Sequence, residues 1–468
     1  MELIVAMDNC NGIGYEGAIP WCCPEDLKHF RGVTLNRPIV VGRKTAELLP
    51  TLKKRRVLCL TRGKPDTALW KNDVTFIHSL SNDHNLMEIE TKETVIVAGG
   101  AEVYRTALEA GRVKRVYRTI IKGTYKSDTY FDPRWLDGFL ITKEKTSSTT
   151  GNIYQVLEPA RIITYLRGGR GDPIHRRAGS EHQYLELLQD VYAAGARREG
   201  RNGITRALFM NTMKFDLRIG FPLLTTKKMF MRGILEEFLF FLRGDTDSAS
   251  LSKARVRIWE GNTSKEFLAT QSLPYAPGVM GPMYGYQWRH FNAPYILNGE
   301  GRPLPPKGGI DQLANVIHLI KNDPHSRRIL MTSYNPSQAS EGVLYPCHSI
   351  TIQFYVQDEY LDMSCYNRSQ DLFLGVPYNI ASSALLLSIV AQLTSKRPRH
   401  LSMVMGDTHL YECHFDQARL QAERIPYIPP SLDVPDIKTL DEIPKLKASD
   451  FKLVNYKCHK SIKGVMVA

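Results

Sequence analysis

The sequence has no long apolar run: nothing among its 468 residues approaches the ~18–20 consecutive apolar positions that a bilayer span requires, so no membrane-crossing helix is expected. It has no recognisable export signal. Met1-Glu2-Leu3-Ile4-Val5-Ala6 lacks a basic lead and a cleavage motif and starts like a strand. It is poor in paired cysteine. Eight cysteines fall at no regular spacing, and the adjacent Cys22-Cys23 is not a Cys-x-x-Cys motif. That excludes a disulfide framework, offers no metal-ligand set, and fits a reducing compartment, the cytoplasm. No internal repeat is present, which argues against a solenoid. Acidic residues are in the minority, 48 against 61 Lys and Arg, for a net charge of +13. Such a surface favours anionic partners: nucleotides, polyanionic small molecules or nucleic acid.

What is present is a folding chain. A 43% hydrophobic share supplies cores, and 468 residues at roughly 150 per domain suggest two or three domains. In the first part, residues 1–158, an apolar run from Leu3 to Met7 leads into the turn-rich Asp8 to Gly14. Pro24-Glu25-Asp26 reads as a helix start, with Leu27 and Phe30 on one face and Asp26 at its edge. A carboxylate there either complements the helix dipole or sits at an apolar pocket to hold a proton. Three further strands follow. Pro38 to Gly42 precedes Arg43-Lys44-Thr45, Val57 to Leu60 precedes Thr61-Arg62, and Val95 to Ala98 precedes Gly99-Gly100 and a helix containing Tyr104. Cations and backbone N–H groups at helix starts suit phosphate. Gly99-Gly100 alone is a weak dinucleotide signal, since it is no Gly-x-Gly-x-x-Gly.

Residues 159–179 change character. Arg161, Arg167, Arg170, Arg176 and Arg177 crowd among glycines and Pro173, which reads as a linker. A nucleic-acid patch is the rival reading; the missing aromatic platform disfavours it.

The second part, residues 180–468, is organised around Leu344-Tyr345-Pro346-Cys347-His348. Ser349 to Val356 follows with strand alternation, so Cys347 stands at the mouth of a strand. A lone cysteine beside a strand is commonly a small buried hydrophobe, and it is a nucleophile only with cationic or polar neighbours. Those neighbours exist in sequence: Arg201, Arg327, Arg328 and Arg368 together make a phosphate cage that would also lower the thiol pKa. The apolar helix around Ile234 to Leu242 carries Glu236 and Glu237, and at least part of that pair must be buried, which marks Glu237 as a functional candidate beside the alternative of a salt bridge. His348 is excluded as the base of a cysteine hydrolase, because neighbours on a strand face opposite ways.

Residues 1–158 resemble dihydrofolate reductase, through Gly12-Ile13-Gly14, Pro20-Trp21, Asp26-Leu27-Lys28-His29-Phe30, Gly42-Arg43-Lys44-Thr45, Thr61-Arg62, Ala98-Gly99-Gly100 with Tyr104, and Ser127-Asp128-Thr129. The resemblance implies a doubly wound mixed α/β sheet and hydride transfer from NADPH to dihydrofolate. Asp26 would hold the pterin, with Ile4, Val5, Phe30 and Thr119 around the folate and Arg55 or Arg56 on its glutamate carboxylate. Ala6, Ile13, Gly42, Arg43, Lys44, Thr45, Thr61, Arg62, Gly99, Gly100, Ala101 and Tyr104 would hold NADPH.

Residues 180–468 resemble thymidylate synthase, through Pro346-Cys347-His348, Arg327-Arg328, Gly406-Asp407-Thr408-His409-Leu410-Tyr411 and the tail Ile462 to Ala468. That implies an α+β domain that dimerises through its sheet and methylates dUMP with 5,10-methylenetetrahydrofolate. Cys347 would attack the pyrimidine, Glu237 would organise water and proton transfers, Tyr284 would lie close to the sulfur, and Asn379 would read the uracil edge. Arg201, Arg368, Ser369, Asp371, His409 and Tyr411 would bind the rest of dUMP, with Arg327 and Arg328 reaching in from a second subunit. Trp259, Asn262, Asp371, Leu374, Gly375 and Tyr378 would line the folate site. Asn367 departs from the pattern, standing one methylene short of the family's usual Gln. Together the two resemblances imply a bifunctional folate enzyme, homodimeric, off the membrane and needing no nucleic acid. A nucleic-acid-binding regulator with idle sites is the alternative from another class.

Overall fold

The computed structural model describes residues 1–63, 70–72, 74–80, 83–136, 138–159, 181–200 and 202–467. Residues 160–179 of the expected linker and Arg201 therefore lie outside the described residues, while Pro159 closes the last strand of the first unit. The chain divides into two compact units, Met1–Leu166 and Arg167–Ala468.

The first unit is built on one eight-stranded sheet. Its elements are β1 (Glu2–Met7), α1 (Pro24–Thr34), β2 (Ile39–Gly42), α2 (Arg43–Leu48), β3 (Val57–Leu60), β4 (Val74–Ile77), α3 (His84–Lys92), β5 (Ile96–Gly99), α4 (Ala101–Glu109), β6 (Val116–Ile120), β7 (Phe139–Thr146) and β8 (Ile153–Pro159). The strand order is β4-β3-β2-β5-β1-β6-β8-β7. β1 to β6 run parallel, and β8 opposes its neighbours β6 and β7, so the sheet is mixed. The central strands read as near-continuous apolar runs, as strands covered on both faces must: Ile39, Val40, Val41, Ile96 and Val97 are all fully buried. The chain winds outward through β2, β3 and β4, then returns to lay β5 beside β1. That reversal leaves a crevice at the carboxyl ends of the strands, the place where such sheets take ligands.

α1 corrects the sequence reading. Leu27 is 57% exposed, whereas Asp26 is buried at 7%. The inward stripe is Asp26, Phe30, Val33 and Thr34, at helical spacing of four, three and one, and Leu27 lies a residue off it.

The second unit contains α5 (His182–Ala194), β9 (Ala196–Gly200), β10 (Gly203–Asp216), α6 (Met231–Arg243), α7 (Gly285–His290), α8 (Gln312–Asn322), β11 (Leu330–Thr332), β12 (Thr351–Gln357), β13 (Tyr360–Asp371), α9 (Gly375–Leu393), β14 (Arg397–Tyr411) and α10 (Phe415–Ala422). Its sheet has the order β9-β10-β14-β13-β12-β11, with one parallel pair, β13 and β14. α9 packs on that pair and on α6. α9 is long and apolar enough to cross a membrane by length and composition, yet 78% of its most apolar window is buried inside the unit, as a core helix is. The opposite face of the sheet stays open. In β12, Ile352, Phe354 and Val356 are buried while Thr351, Gln353, Tyr355 and Gln357 alternate outward.

The expected strand start also moves. β12 begins at Thr351, and Ser349 sits in the left-handed region at φ 54°. Cys347 and His348 are thus loop residues, and strand alternation does not govern where His348 points.

Candidate active sites

In the second unit, four elements converge on Cys347. The Tyr284 hydroxyl lies 3.3 Å from its Sγ. The Cys347 backbone N–H donates to the same hydroxyl oxygen at 3.2 Å, which leaves the phenolic hydrogen able to donate to a thiolate. Tyr284 precedes α7, and α7 approaches α6 closely enough that a Cβ on Gly285 would fall 1.9 Å from the Phe241 carbonyl oxygen. Only glycine permits that approach. From α6, Glu237 accepts a hydrogen bond from Trp259 Nε1 at 2.8 Å, and the Trp259 ring meets Tyr284 edge-on, centroids 6.3 Å apart. Burial pushes the Glu237 carboxyl up to about 7, against the smaller opposing effect of the Trp259 N–H. A carboxyl poised there can give or take a proton near neutral pH.

Arg368 holds the loop rather than the sulfur. Its Nε donates to the Pro346 carbonyl and its terminal nitrogen to the Tyr345 carbonyl, each at 3.0 Å. The Ser369 N–H donates to the Cys347 carbonyl at 3.2 Å. The nucleophile's backbone is therefore clamped from β13. This corrects the expected electrostatics. Burial raises the thiol pKa, and the opposing pull of Tyr284 and Arg368 is smaller. Arg327 and Arg328 are exposed in the turn before β11, and among the described residues no hydrogen bond ties them to the Cys347 loop. His348 is no base for Cys347. Its ring stacks on Tyr284 at 4.4 Å, its Nδ1 is 3.2 Å from the Ser349 hydroxyl, and burial lowers its pKa to about 4.

The remaining candidates form the surround. Asp371 accepts from the Phe373 and Leu374 N–H groups, fixing the turn into α9 at Gly375. Asn379, one turn in, donates to Gln370 at 2.9 Å. Tyr378 is close enough to Glu237 for that charge, after burial, to raise its pKa. His409 Nδ1 pairs with Asp407 at 3.0 Å and meets Tyr411 edge-on. Asn262 is half-buried in the turn after Trp259. Asn367 is committed to structure, its Oδ1 accepting the Ser349 N–H at 2.9 Å. Two features escaped the sequence reading. Glu181 accepts from the backbone N–H and hydroxyl of both Thr225 and Thr226, and the next residue, Lys227, is buried with Nζ 2.5 Å from the Phe373 carbonyl. Burial lowers the Lys227 amine to about 7. A Thr-Thr-Lys run after an apolar turn was the available signal.

In the first unit, the candidates gather at the carboxyl ends of the parallel strands. Gly42 and Gly100 are the N-caps of α2 and α4. The two helix starts nearly touch, since a Cβ on Gly100 would lie 3.4 Å from the Thr45 hydroxyl. Arg43 and Lys44 are exposed there, Arg43 pairing with Glu47 at 2.8 Å. Ala101 opens α4, Thr61 and the exposed Arg62 follow β3, and Tyr104 donates its hydroxyl to the Ile4 carbonyl at 2.8 Å. Two adjacent helix N-termini, glycine-lined and flanked by cations, fit the phosphates of a dinucleotide. Val5 is buried, with Ala6 and Ile13 half-buried near the mouth. Asp26 is buried beside Thr119, close enough for the hydroxyl to act on its carboxyl. Burial raises the Asp26 pKa, more than Thr119 and His29 lower it. Arg55 lies with its guanidinium carbon 6.0 Å over the Phe30 ring, donates to Thr34 at 3.2 Å and leaves its buried Nε unpartnered, while Arg56 is exposed. A buried acid with a hydroxyl beside it and an orphaned guanidinium N–H fit a polar heterocycle with a distal carboxylate.

Comparison with known proteins agrees with both halves. A family model for dihydrofolate reductase matches residues 1–158 and one for thymidylate synthase matches residues 182–468. The chain is 33% identical to a maize protein named bifunctional dihydrofolate reductase-thymidylate synthase, over 99% of this chain and 96% of that one. Proteins of the same name from Paramecium tetraurelia (33% identical, 99% and 98% covered) and Leishmania major (34% identical, 99% and 94% covered) are equally similar.

Proposed function

This chain belongs to the bifunctional dihydrofolate reductase–thymidylate synthase family, and from that premise we propose how its own residues divide the work. The protein methylates dUMP to dTMP and reduces the dihydrofolate so formed to tetrahydrofolate.

In the synthase unit, Cys347 adds through sulfur to carbon 6 of the uracil, which makes carbon 5 nucleophilic. Methylenetetrahydrofolate supplies the one-carbon unit and the hydride that completes the methyl group. Tyr284 donates to the sulfur as it becomes anionic, and Glu237 moves protons on the folate side, where Trp259, Asn262, Leu374, Gly375 and Tyr378 form the wall. Arg368, Arg201, Ser369, Asp371, His409 and Tyr411 bind dUMP, and Asn379 reads the base. A dUMP phosphate recruited to Arg368 competes with the Pro346 and Tyr345 carbonyls, so substrate arrival and thiol activation are coupled. Arg327 and Arg328 complete the phosphate site in a partner subunit. The open face of the sheet, with Tyr355 at 64% and Phe209 at 71% exposure, supports dimerisation there.

In the reductase unit, NADPH supplies the hydride. Asp26 keeps its proton to higher pH than a surface carboxyl and delivers it toward the pterin, Phe30 and Thr119 orient the ring, and Arg55 takes the glutamate carboxylate. A cytoplasmic location fits the eight unpaired cysteines.

The observation that carries the synthase reading is the Tyr284 hydroxyl against the Cys347 sulfur, with Glu237 linked through Trp259. The test is incubation with 5-fluoro-dUMP and methylenetetrahydrofolate. Mass spectrometry is expected to find the Cys347 peptide carrying the nucleotide; an unmodified Cys347 rejects the reading.

A further inference from the structure

Gln370 is a buried amide at the penultimate position of β13, 1% exposed, with no place in the roles assigned above. Its two polar ends are both used. Nε2 donates to the Ser369 carbonyl at 3.0 Å, and Oε1 accepts from Asn379 Nδ2 at 2.9 Å. The order of this chain is not arbitrary. A backbone carbonyl can only accept, so the end of Gln370 facing Ser369 must be its NH₂ group. The end facing Asn379 is then an acceptor, and Asn379 must turn its own NH₂ toward it. What Asn379 has left is a free carbonyl oxygen and a second N–H. That pair matches an edge offering an N3–H donor and a 4-oxo acceptor, as uracil does. It opposes cytosine, whose 4-amino group is a donor and whose N3 is an acceptor. If Asn379 were free to flip, its amide could meet either base equally well.

We propose that Gln370 is a positioning residue for base specificity: by locking the Asn379 carboxamide in one orientation, it makes the site select a 4-oxo over a 4-amino pyrimidine nucleotide. The inference rests on the reading that Asn379 faces the base. The other buried amide of β13, Asn367, cannot share the task. Its Oδ1 holds the Ser349 N–H, and its Nδ2 faces the Cys365 and Val404 carbonyls at 3.4 and 3.3 Å.

The test compares dUMP and dCMP on the full-length enzyme, as the ratio of the dCMP inhibition constant to the dUMP KM. Gln370→Met removes the anchor at similar volume. The ratio is expected to fall roughly tenfold, the scale of one buried hydrogen bond. Gln370→Glu keeps an acceptor toward Asn379 but gives up the N–H to the Ser369 carbonyl, and is expected to lower the ratio less than Gln370→Met does. An unchanged ratio in folded Gln370→Met overturns the inference. If Gln370→Met does not fold, Gln370→Leu takes its place, and an unchanged ratio there overturns the inference as well. Asn379→Ala separates the two layers. A ratio unmoved by Asn379→Ala rejects the underlying reading of Asn379, whereas a ratio that collapses there but survives Gln370→Met rejects the role of Gln370 alone.

Discussion

Single side chains in the proposed sites come at a cost to stability. Glu237 is the clearest case. Its carboxyl is raised to about 7, so between the unfolded value near 4.5 and about 7 the folded state holds a proton that the unfolded state has released. Stability from this group is therefore highest below that window and declines as pH rises through it. Glu237→Gln removes the penalty. It is expected to abolish dTMP synthesis and yet to stabilise the protein by ~2–3 kcal/mol more at pH 8 than at pH 5. Urea unfolding at the two pH values checks this, and equal gains at both would refute it. At this scale the sequence pointed to residues that are rare in their places and that the structure brings together. Cys347 before a strand and Glu237 in an apolar helix are such positions. It was opaque where function depends on a pairing. Nothing in Gln370 or Asn379 alone announces which amide end faces which, and Asp26 could be told from Leu27 only once the neighbouring sheet fixed which stripe of α1 faces inward.

Elements hold these groups by close approach. α6 and α7 meet over Gly285, where a methyl group would fall 1.9 Å from the Phe241 carbonyl. Gly285→Ala is expected to drive the helices apart, carry Tyr284 away from Cys347 and cost roughly 3 kcal/mol of stability. Synthase turnover should drop by at least a hundredfold while dihydrofolate reduction persists; parallel assays of the two reactions decide it. The sheet makes a second demand. Tyr355 stands out from β12 on the face turned away from α9, and Tyr355→Glu places a charge there. Sedimentation is expected to show monomer, with synthase activity lost because Arg327 and Arg328 no longer have a partner's site to enter. A dimer of full activity would refute the sheet as the interface. Element type followed from period and composition, since the parallel strands read as apolar runs and β12 as alternation. Element ends did not. The left-handed backbone at Ser349 delays β12 to Thr351, and a serine there gives no warning, because αL is forced by the loop that delivers Cys347.

At the scale of the whole molecule, two matches in series make one chain with two chemistries, and the change of composition after residue 158 was visible without coordinates. Each unit carries its own buried carboxyl with a raised pKa, and the proposed roles of the two predict separable losses. Cys347→Ser is expected to end dTMP formation and leave NADPH-dependent reduction near normal, and Asp26→Asn to do the reverse, both followed spectrophotometrically. A fall in both rates from either change would show that the units depend on one another.

The seclusion of Cys347 bears on how the protein meets electrophiles. Cys10, Cys22 and Cys413 are exposed, while burial raises the pKa of the thiol proposed as nucleophile, Cys347. Alkylating agents and peroxide are expected to react first with the exposed thiols. If the proposed dUMP site is right, a warhead aimed at Cys347 gains by arriving on a scaffold that carries a phosphate.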